Sequence, residues 1–172
     1  MPRHQGPVLT DTNVIIECWR VGAWRALAGG YSLETVEDCM TETQTGYQRR
    51  RPEQQIDAAE LRRGLKAVNP VTQAQLAAAI VRDPLLGYLD VGERSLWAHA
   101  LSRQDGWVLC GPDKASLRLG IRLGFRARLV ALEALLGDAG FRPRQPLRSP
   151  YTTKWLEATL TELAASEGRA RP

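Results

Sequence analysis

The sequence predicts an α/β domain in three layers, α/β/α, with helices on both faces of a short, mainly parallel central sheet. Two observations carry that expectation. Short apolar runs alternate along the chain with segments whose apolar residues recur at helical spacing, the grammar of strand followed by helix. The chain also has 172 residues, 44% hydrophobic and 24% charged, which suits one ordinary globular domain. A chain of this length buries roughly 70% of its unfolded surface, so its core needs neither disulfides nor a structural metal.

Pro7 to Thr10 is a short apolar run ending at Asp11 and reads as the first strand. A helix follows from Val14 to Ala28, with Val14, Cys18 and Val21 on one row and Ile15, Trp19 and Gly22 on the next, stopped by Gly29-Gly30. Tyr31 to Glu34 is a second strand, and Val36 to about Gly46 a second helix. Arg49 to Lys66 is charged and permits helix, Asn69-Pro70 breaks it, and Thr72 to Arg82 is an alanine-rich helix. Asp83-Pro84 interrupts again before a helix over Gly92 to Arg103. The turn Gln104-Asp105-Gly106 leads into a third strand, Trp107 to Cys110, then a helix from Lys114 to Leu119 and a fourth strand near Arg128 to Leu132. Residues 1–141 thus form the main domain. Residues 142–172 form a connector rich in Pro and Arg, an amphipathic C-terminal helix over Thr152 to Ala165, and a frayed end from Glu167.

Cys18, Cys39 and Cys110 are odd in number and widely spaced, so they read as reduced core thiols. His4 and His99 lie far from any paired Cys/His spacing, which excludes a zinc site of the usual kind; His99 reads as a packing or surface residue. No stretch approaches the roughly 18 to 20 uncharged apolar residues of a membrane span, and Met1 to Gly6 carries no signal-peptide core. A cytoplasmic protein without a membrane partner is expected. The formal net charge is only +4, but Lys114 to Arg128 holds five basic residues and no acidic one.

In a parallel sheet, chemistry collects where loops leave the carboxyl ends of the strands. Asp11 and Asp113 fall there, and Glu42 and Glu93 are placed to reach the same crevice from helices. Four carboxylates at one point repel one another unless a cation neutralises them, and an oxygen-only set suits Mg²⁺ or Mn²⁺. Each acid also has a structural reading. Asp11 and Asp113 stand where helix N-caps are expected, Asp90-x-x-Glu93 and Thr35-x-x-Asp38 fit capping boxes, and Glu42 is a helix glutamate.

The ordered set resembles the PIN-domain family of metal-dependent nucleases. The residues that carry the resemblance are Asp11-Thr12-Asn13, then Asp38-Cys39-Met40-Thr41-Glu42, then Leu89-Asp90-Val91-Gly92-Glu93, then Val108 to Asp113 leading into the basic segment Lys114 to Arg118; together they span roughly Pro7 to Leu132. The chain departs from many toxin-type members in having Glu93 where they have Asp, and 47–87 and the tail after Phe141 match no family signature.

The resemblance implies a hydrolase, an endoribonuclease that cleaves phosphodiester bonds with a metal-activated water and leaves 5′-phosphate and 3′-hydroxyl ends. Asp11, Glu42, Glu93 and Asp113 would be its catalytic metal ligands, with Asp38 and Asp90 as further candidates. Thr12, Asn13, Lys114 and Arg118 would position the substrate. It implies single-stranded RNA as partner and, through toxin-type members, an antitoxin protein; the Thr72 to Arg82 helix, where exposed, suits a homodimer. Lys114, Arg118, Arg122 and Arg126 recur every four residues and would meet phosphates, as would Arg49-Arg50-Arg51 and Arg142, Arg144 and Arg148, although each cluster also reads as a solvated face. Trp155 and Tyr151 are the aromatics expected to be free for a partner. Two alternatives stand beside this reading. One is a catalytically weak or inactive PIN-like module that binds nucleic acid or protein. The other is a different α/β phosphotransfer or hydrolase domain, against which the chain has no Gly-rich phosphate loop and no G-x-S-x-G.

Overall fold

The computed structural model describes residues 3–46, 50–52 and 55–170. Five strands, β1 (Pro7–Thr10), β2 (Ser32–Val36), β3 (Ala67–Asn69), β4 (Val108–Cys110) and β5 (Leu129–Val130), pair in the order β3-β2-β1-β4-β5. Every pairing is parallel, and β1 at the centre registers Leu9 against Glu34 on one side and Leu109 on the other. The α/β expectation holds.

A strand's side chains alternate between faces, and a parallel sheet is covered on both, so neighbouring residues enter different cores. Val8, Leu33, Val108 and Cys110 join one core with Val14, Ile15, Cys18, Leu27, Leu61 and Leu135. That face carries α1 (Thr12–Arg20), α2 (Trp24–Gly30), α4 (Ala58–Gly64) and α8 (Leu132–Asp138). Leu9, Val36, Leu109 and Leu129 join the other, with Ala79, Leu96, Trp97, Leu117 and Leu160. It carries α5 (Gln73–Arg82), α6 (Val91–Leu101), α7 (Lys114–Arg122) and α9 (Thr153–Ala170). Between the two, α3 (Glu37–Gln44) sends Met40 to the first core and Cys39 to the second.

Several elements differ from the sequence reading, for identifiable reasons. The helix expected over Val14 to Ala28 is two helices, because Gly22 takes a left-handed φ of 68° and turns the chain. The edge strand β3 and the short helix α8 carry too little periodic signal to be read in advance. The expected segment Arg49 to Lys66 is partly outside the described residues, as Arg49 is; its described helix is α4, capped by Asp57 on the backbone N–H of Glu60. The C-terminal helix runs to Ala170 rather than fraying from Glu167, because Glu167 is buried and accepts from Arg118 and Arg122. Leu156, Leu160 and Leu163 sink into the same core as Trp97 and Leu117, so the C-terminal helix, described to residue 170, docks onto the main body.

The connector is fastened by one buried acid. Glu17, 1% exposed, accepts from Arg20 Nε at 3.0 Å and from the backbone N–H of Arg148 at 2.9 Å, while Arg20 Nη2 donates to the Pro146 carbonyl at 2.9 Å. Burial opposes ionisation of Glu17, but these hydrogen bonds and the charges of Arg20 and Arg148 outweigh it and hold the carboxyl below its ordinary pKa. Removing one partner of a buried pair leaves an uncompensated charge. Glu17→Ala is therefore expected to cost about 3 kcal/mol in denaturant unfolding, and to make the Arg142 to Arg148 segment more rapidly cleaved by trypsin.

Candidate metal centre

The strand order places a reversal between β1 and β4, because the chain builds outward from β1 to β2 and β3, then returns to add β4 and β5 on the other side. Loops leaving the carboxyl ends of β1 and β4 lead to helices on opposite faces, and open parallel sheets bind ligands in the crevice that such a divergence opens. Asp11 directly follows β1, its backbone N–H donating to the Cys110 carbonyl of β4 at 3.1 Å. Asp113 stands at the end of the β4 loop.

Both aspartates do cap helices as the structural reading had it. Asp11 Oδ2 accepts from the backbone N–H of Asn13 at 3.2 Å at the head of α1, and Asp113 Oδ1 accepts from those of Ala115 at 2.8 Å and Ser116 at 3.1 Å at the head of α7. Capping and convergence coincide. Burial raises the Asp11 carboxyl to about 6, partly offset by the Asn13 and Thr12 N–H groups and reinforced by the charges of Glu42 and Asp113.

Glu93 lies on the first turn of α6, 8% exposed. Burial, followed by the charges of Asp11, Asp113, Asp90 and Glu42, lifts its pKa to about 8. The capping box expected at Asp90 and Glu93 does not form: Asp90 occupies the N-cap position without a side-chain bond to the helix, and its exposed carboxylate adds to the repulsion on Glu93. The reason is that Glu93 turns inward to the crevice instead of back along the chain.

Glu42 reaches the crevice from α3 and is held there by two donors. Thr12 Oγ1 donates to its Oε2 at 2.8 Å, and the backbone N–H of Gly92 to its Oε1 at 2.9 Å. Thr12 is buried, so its hydroxyl orients an acid; Asn13, the next residue, is exposed. Only glycine at 92 leaves the Glu42 carboxylate where it stands, since a Cβ there would lie 2.5 Å from Glu42 Oε2. Gly92→Ala is expected to leave stability within about 1 kcal/mol, because alanine favours the helix while the carboxylate swings aside. Displacement of the Glu42 carboxylate from Thr12 and the Gly92 N–H is the expected result, as a crystal structure of the variant would show.

Asp38 takes no part in this set. The second expected capping box is absent, since α3 begins after Val36 with no side-chain cap, Thr35 Oγ1 donates to the Thr10 carbonyl, and Asp38 accepts from the Ser95 hydroxyl. Asp38 is also missing from the charges that raise Asp11 and Glu93.

Three residues of the basic stripe are ion-paired, while among the described residues Arg126 meets only the Thr161 hydroxyl. Arg118 and Arg122 bridge to Glu167 at 2.8 and 3.3 Å, Arg122 also to Asp83 at 2.7 Å, and Lys114 lies 3.9 Å from Glu162. Gly124, at φ 80°, ends α7 before Arg126. Arg50 closes the C-terminal end of α3 by donating to the carbonyls of Thr43, Glu42 and Thr45. The aromatics expected to be free are not: Trp155 packs against the core of α6 and α7, and Tyr151 against the opposite one. His99 is buried beside Arg103 at 3.1 Å, as the packing reading had it.

Among the described residues, no group of three or more His, Cys, Asp or Glu side chains is drawn together tightly enough to enclose a metal ion. The donor chemistry nonetheless fits a hard divalent cation: the set is carboxylate oxygen throughout, and no arginine or lysine among the described residues forms an ion pair with Asp11, Glu42, Glu93 or Asp113. No helix among the described residues is long and apolar enough to cross a membrane. No family model, no curated protein and no solved structure matches the chain.

Proposed function

We propose that this chain is a PIN-like, divalent-metal-dependent nuclease that hydrolyses phosphodiester bonds in single-stranded RNA. The observation that carries the reading is the placement of Asp11 and Asp113 after the two strands of the β1/β4 reversal with Glu93 buried within reach of their charge, a group of acids without a cationic partner among the described residues. Mg²⁺ or Mn²⁺ held by Asp11, Glu93 and Asp113 would supply Lewis acidity, lowering the pKa of water and offsetting charge on the phosphate. The chain's own part is to hold those carboxylates on rigid helix starts, with Glu42 oriented by Thr12 and Gly92 as a further acid. Asn13, exposed beside Asp11, would meet the substrate, and exposed Asp90 stands as a further acid.

The test is incubation of purified protein with end-labelled single-stranded RNA and DNA in Mn²⁺, Mg²⁺ or EDTA. Metal-dependent cutting of RNA that leaves 5′-phosphate and 3′-hydroxyl ends is expected. A specific observation favours a second reading: both Glu42 oxygens already accept hydrogen bonds from the chain, as in a centre used for binding alone. RNA that is retained but never cut with either metal would establish that binding module in place of the nuclease.

A further inference from the structure

The rim beside the acidic crevice carries an aromatic that nothing in the fold uses. Tyr88 ends the short 3-10 turn Pro84–Tyr88 and is 86% exposed; Val91, at the first position of α6, is 55% exposed. Between them stands Asp90, whose charge acts on Glu93, and Gly92 follows as the seat of Glu42. Two residues of chain span at most about 7 Å, so the backbone that carries Tyr88 lies beside Asp90, the acid next to the site.

The same rim holds an uncommitted cation. Arg94 donates from Nη2 to the carbonyl of Leu89 at 3.0 Å, which sets its guanidinium against the segment that carries Tyr88. Its Nε is buried without a partner, and among the described residues no carboxylate pairs with it, unlike Lys114, Arg118 and Arg122. Leu86 and Leu89, both buried, anchor the turn on either side of Tyr88, so the ring is presented from a fixed base.

We propose that Tyr88, with Val91 beside it and Arg94 against the neighbouring backbone, forms a stacking platform for one base of a single-stranded RNA entering the crevice. The proposal rests on the nuclease reading for its ligand. An aromatic face takes any base without regard to sequence, and an arginine beside it meets the adjoining phosphate. Charge complementarity at Arg94 selects this occupant: its guanidinium has no carboxylate partner among the described residues and can meet a phosphate, whereas Arg118 and Arg122 of α7 are engaged by Glu167.

The test reads binding separately from cutting. Fluorescence anisotropy of a short fluorescein-labelled single-stranded RNA is measured in EDTA at low salt, with wild type, Tyr88→Ala and Tyr88→Phe, and repeated with an oligonucleotide of the same length abasic at every internal position. Tyr88→Ala should weaken binding about tenfold, Tyr88→Phe should stay near wild type, and the abasic probe should bind wild type and Tyr88→Ala alike. Arg94→Gln should reduce the salt dependence by about one phosphate contact. Equal binding of RNA by wild type and Tyr88→Ala overturns the platform, while metal-dependent cleavage in the same preparation would leave the nuclease reading intact. Tyr88-dependent binding without cleavage in any metal would uphold the platform and remove the nuclease. No binding by wild type overturns the platform.

Discussion

Asp11→Asn is expected to lower metal-dependent cleavage of single-stranded RNA by on the order of 10³-fold, without loss of fold. Asparagine is isosteric, and its amide oxygen still accepts from the Asn13 N–H that heads α1. The backbone bond from residue 11 to Cys110 is also unaffected. What disappears is a negative charge that burial and neighbouring acids already disfavour, so melting temperature should hold or rise. Asp113→Asn should behave alike, because its cap on Ala115 and Ser116 survives in the amide. Glu133→Gln, on the exposed first turn of α8 and outside the crevice, should cut at the wild-type rate. Activity that is lost together with stability would instead assign Asp11 to capping alone.

Glu93→Gln tests the electrostatics independently of any substrate. In the folded chain, burial and then the charges of Asp11, Asp113, Asp90 and Glu42 raise this carboxyl from its ordinary 4.5 to about 8. A raised carboxyl binds its proton more tightly folded than unfolded. Below pH 4.5 both states are protonated and the group is neutral in its effect; between 4.5 and 8 the unfolded state ionises first, so stability falls as pH rises. Wild type without metal should therefore lose stability across that window, with Asp11 adding to the loss between its ordinary 3.8 and about 6. Glu93→Gln should flatten the upper part of the profile and gain up to about 4 kcal/mol at pH 8. Mn²⁺ should raise the wild-type melting temperature at pH 8 and much less at pH 5, where protons compete for the same oxygens. In Glu93→Gln the Mn²⁺ effect should shrink. Chemical and thermal denaturation from pH 4 to 9, with and without Mn²⁺, together measure all three.

The sheet was legible because parallel strands bury both faces: Val8 to Thr10 and Val108 to Cys110 are continuous apolar or small runs flanked by helical periods. The edge strand Ala67–Asn69 was not, since it is short, half-buried on both sides, and defined only by its register with β2. Asp11 and Asp113 could be placed from their positions after strands. The second role of Gly92 was invisible, because a glycine shows why it is needed only when the Glu42 carboxylate is seen where its Cβ would stand. Likewise the capping-box pattern at Asp90 and Glu93 is a local signal, and the local bond loses to the crevice into which Glu93 turns. The arginines of α7 read as a polyanion surface since their partners, Asp83 and Glu167, are distant in sequence. Tyr88 sat in an unremarked turn after a proline, and only its 86% exposure beside the acids distinguishes it.

The central claim is that the carboxylates at the β1/β4 reversal form one divalent-cation centre. It is tested most directly by growing crystals at pH 8, soaking them in Mn²⁺ and collecting anomalous diffraction at the manganese edge. A single strong peak in the crevice at the carboxyl ends of β1 and β4, with Asp11 among its ligands and Glu93 and Asp113 drawn toward it, is the expected result. Manganese bound only elsewhere, with the crevice free of anomalous density and Asp11 still turned to its helix cap, would contradict it.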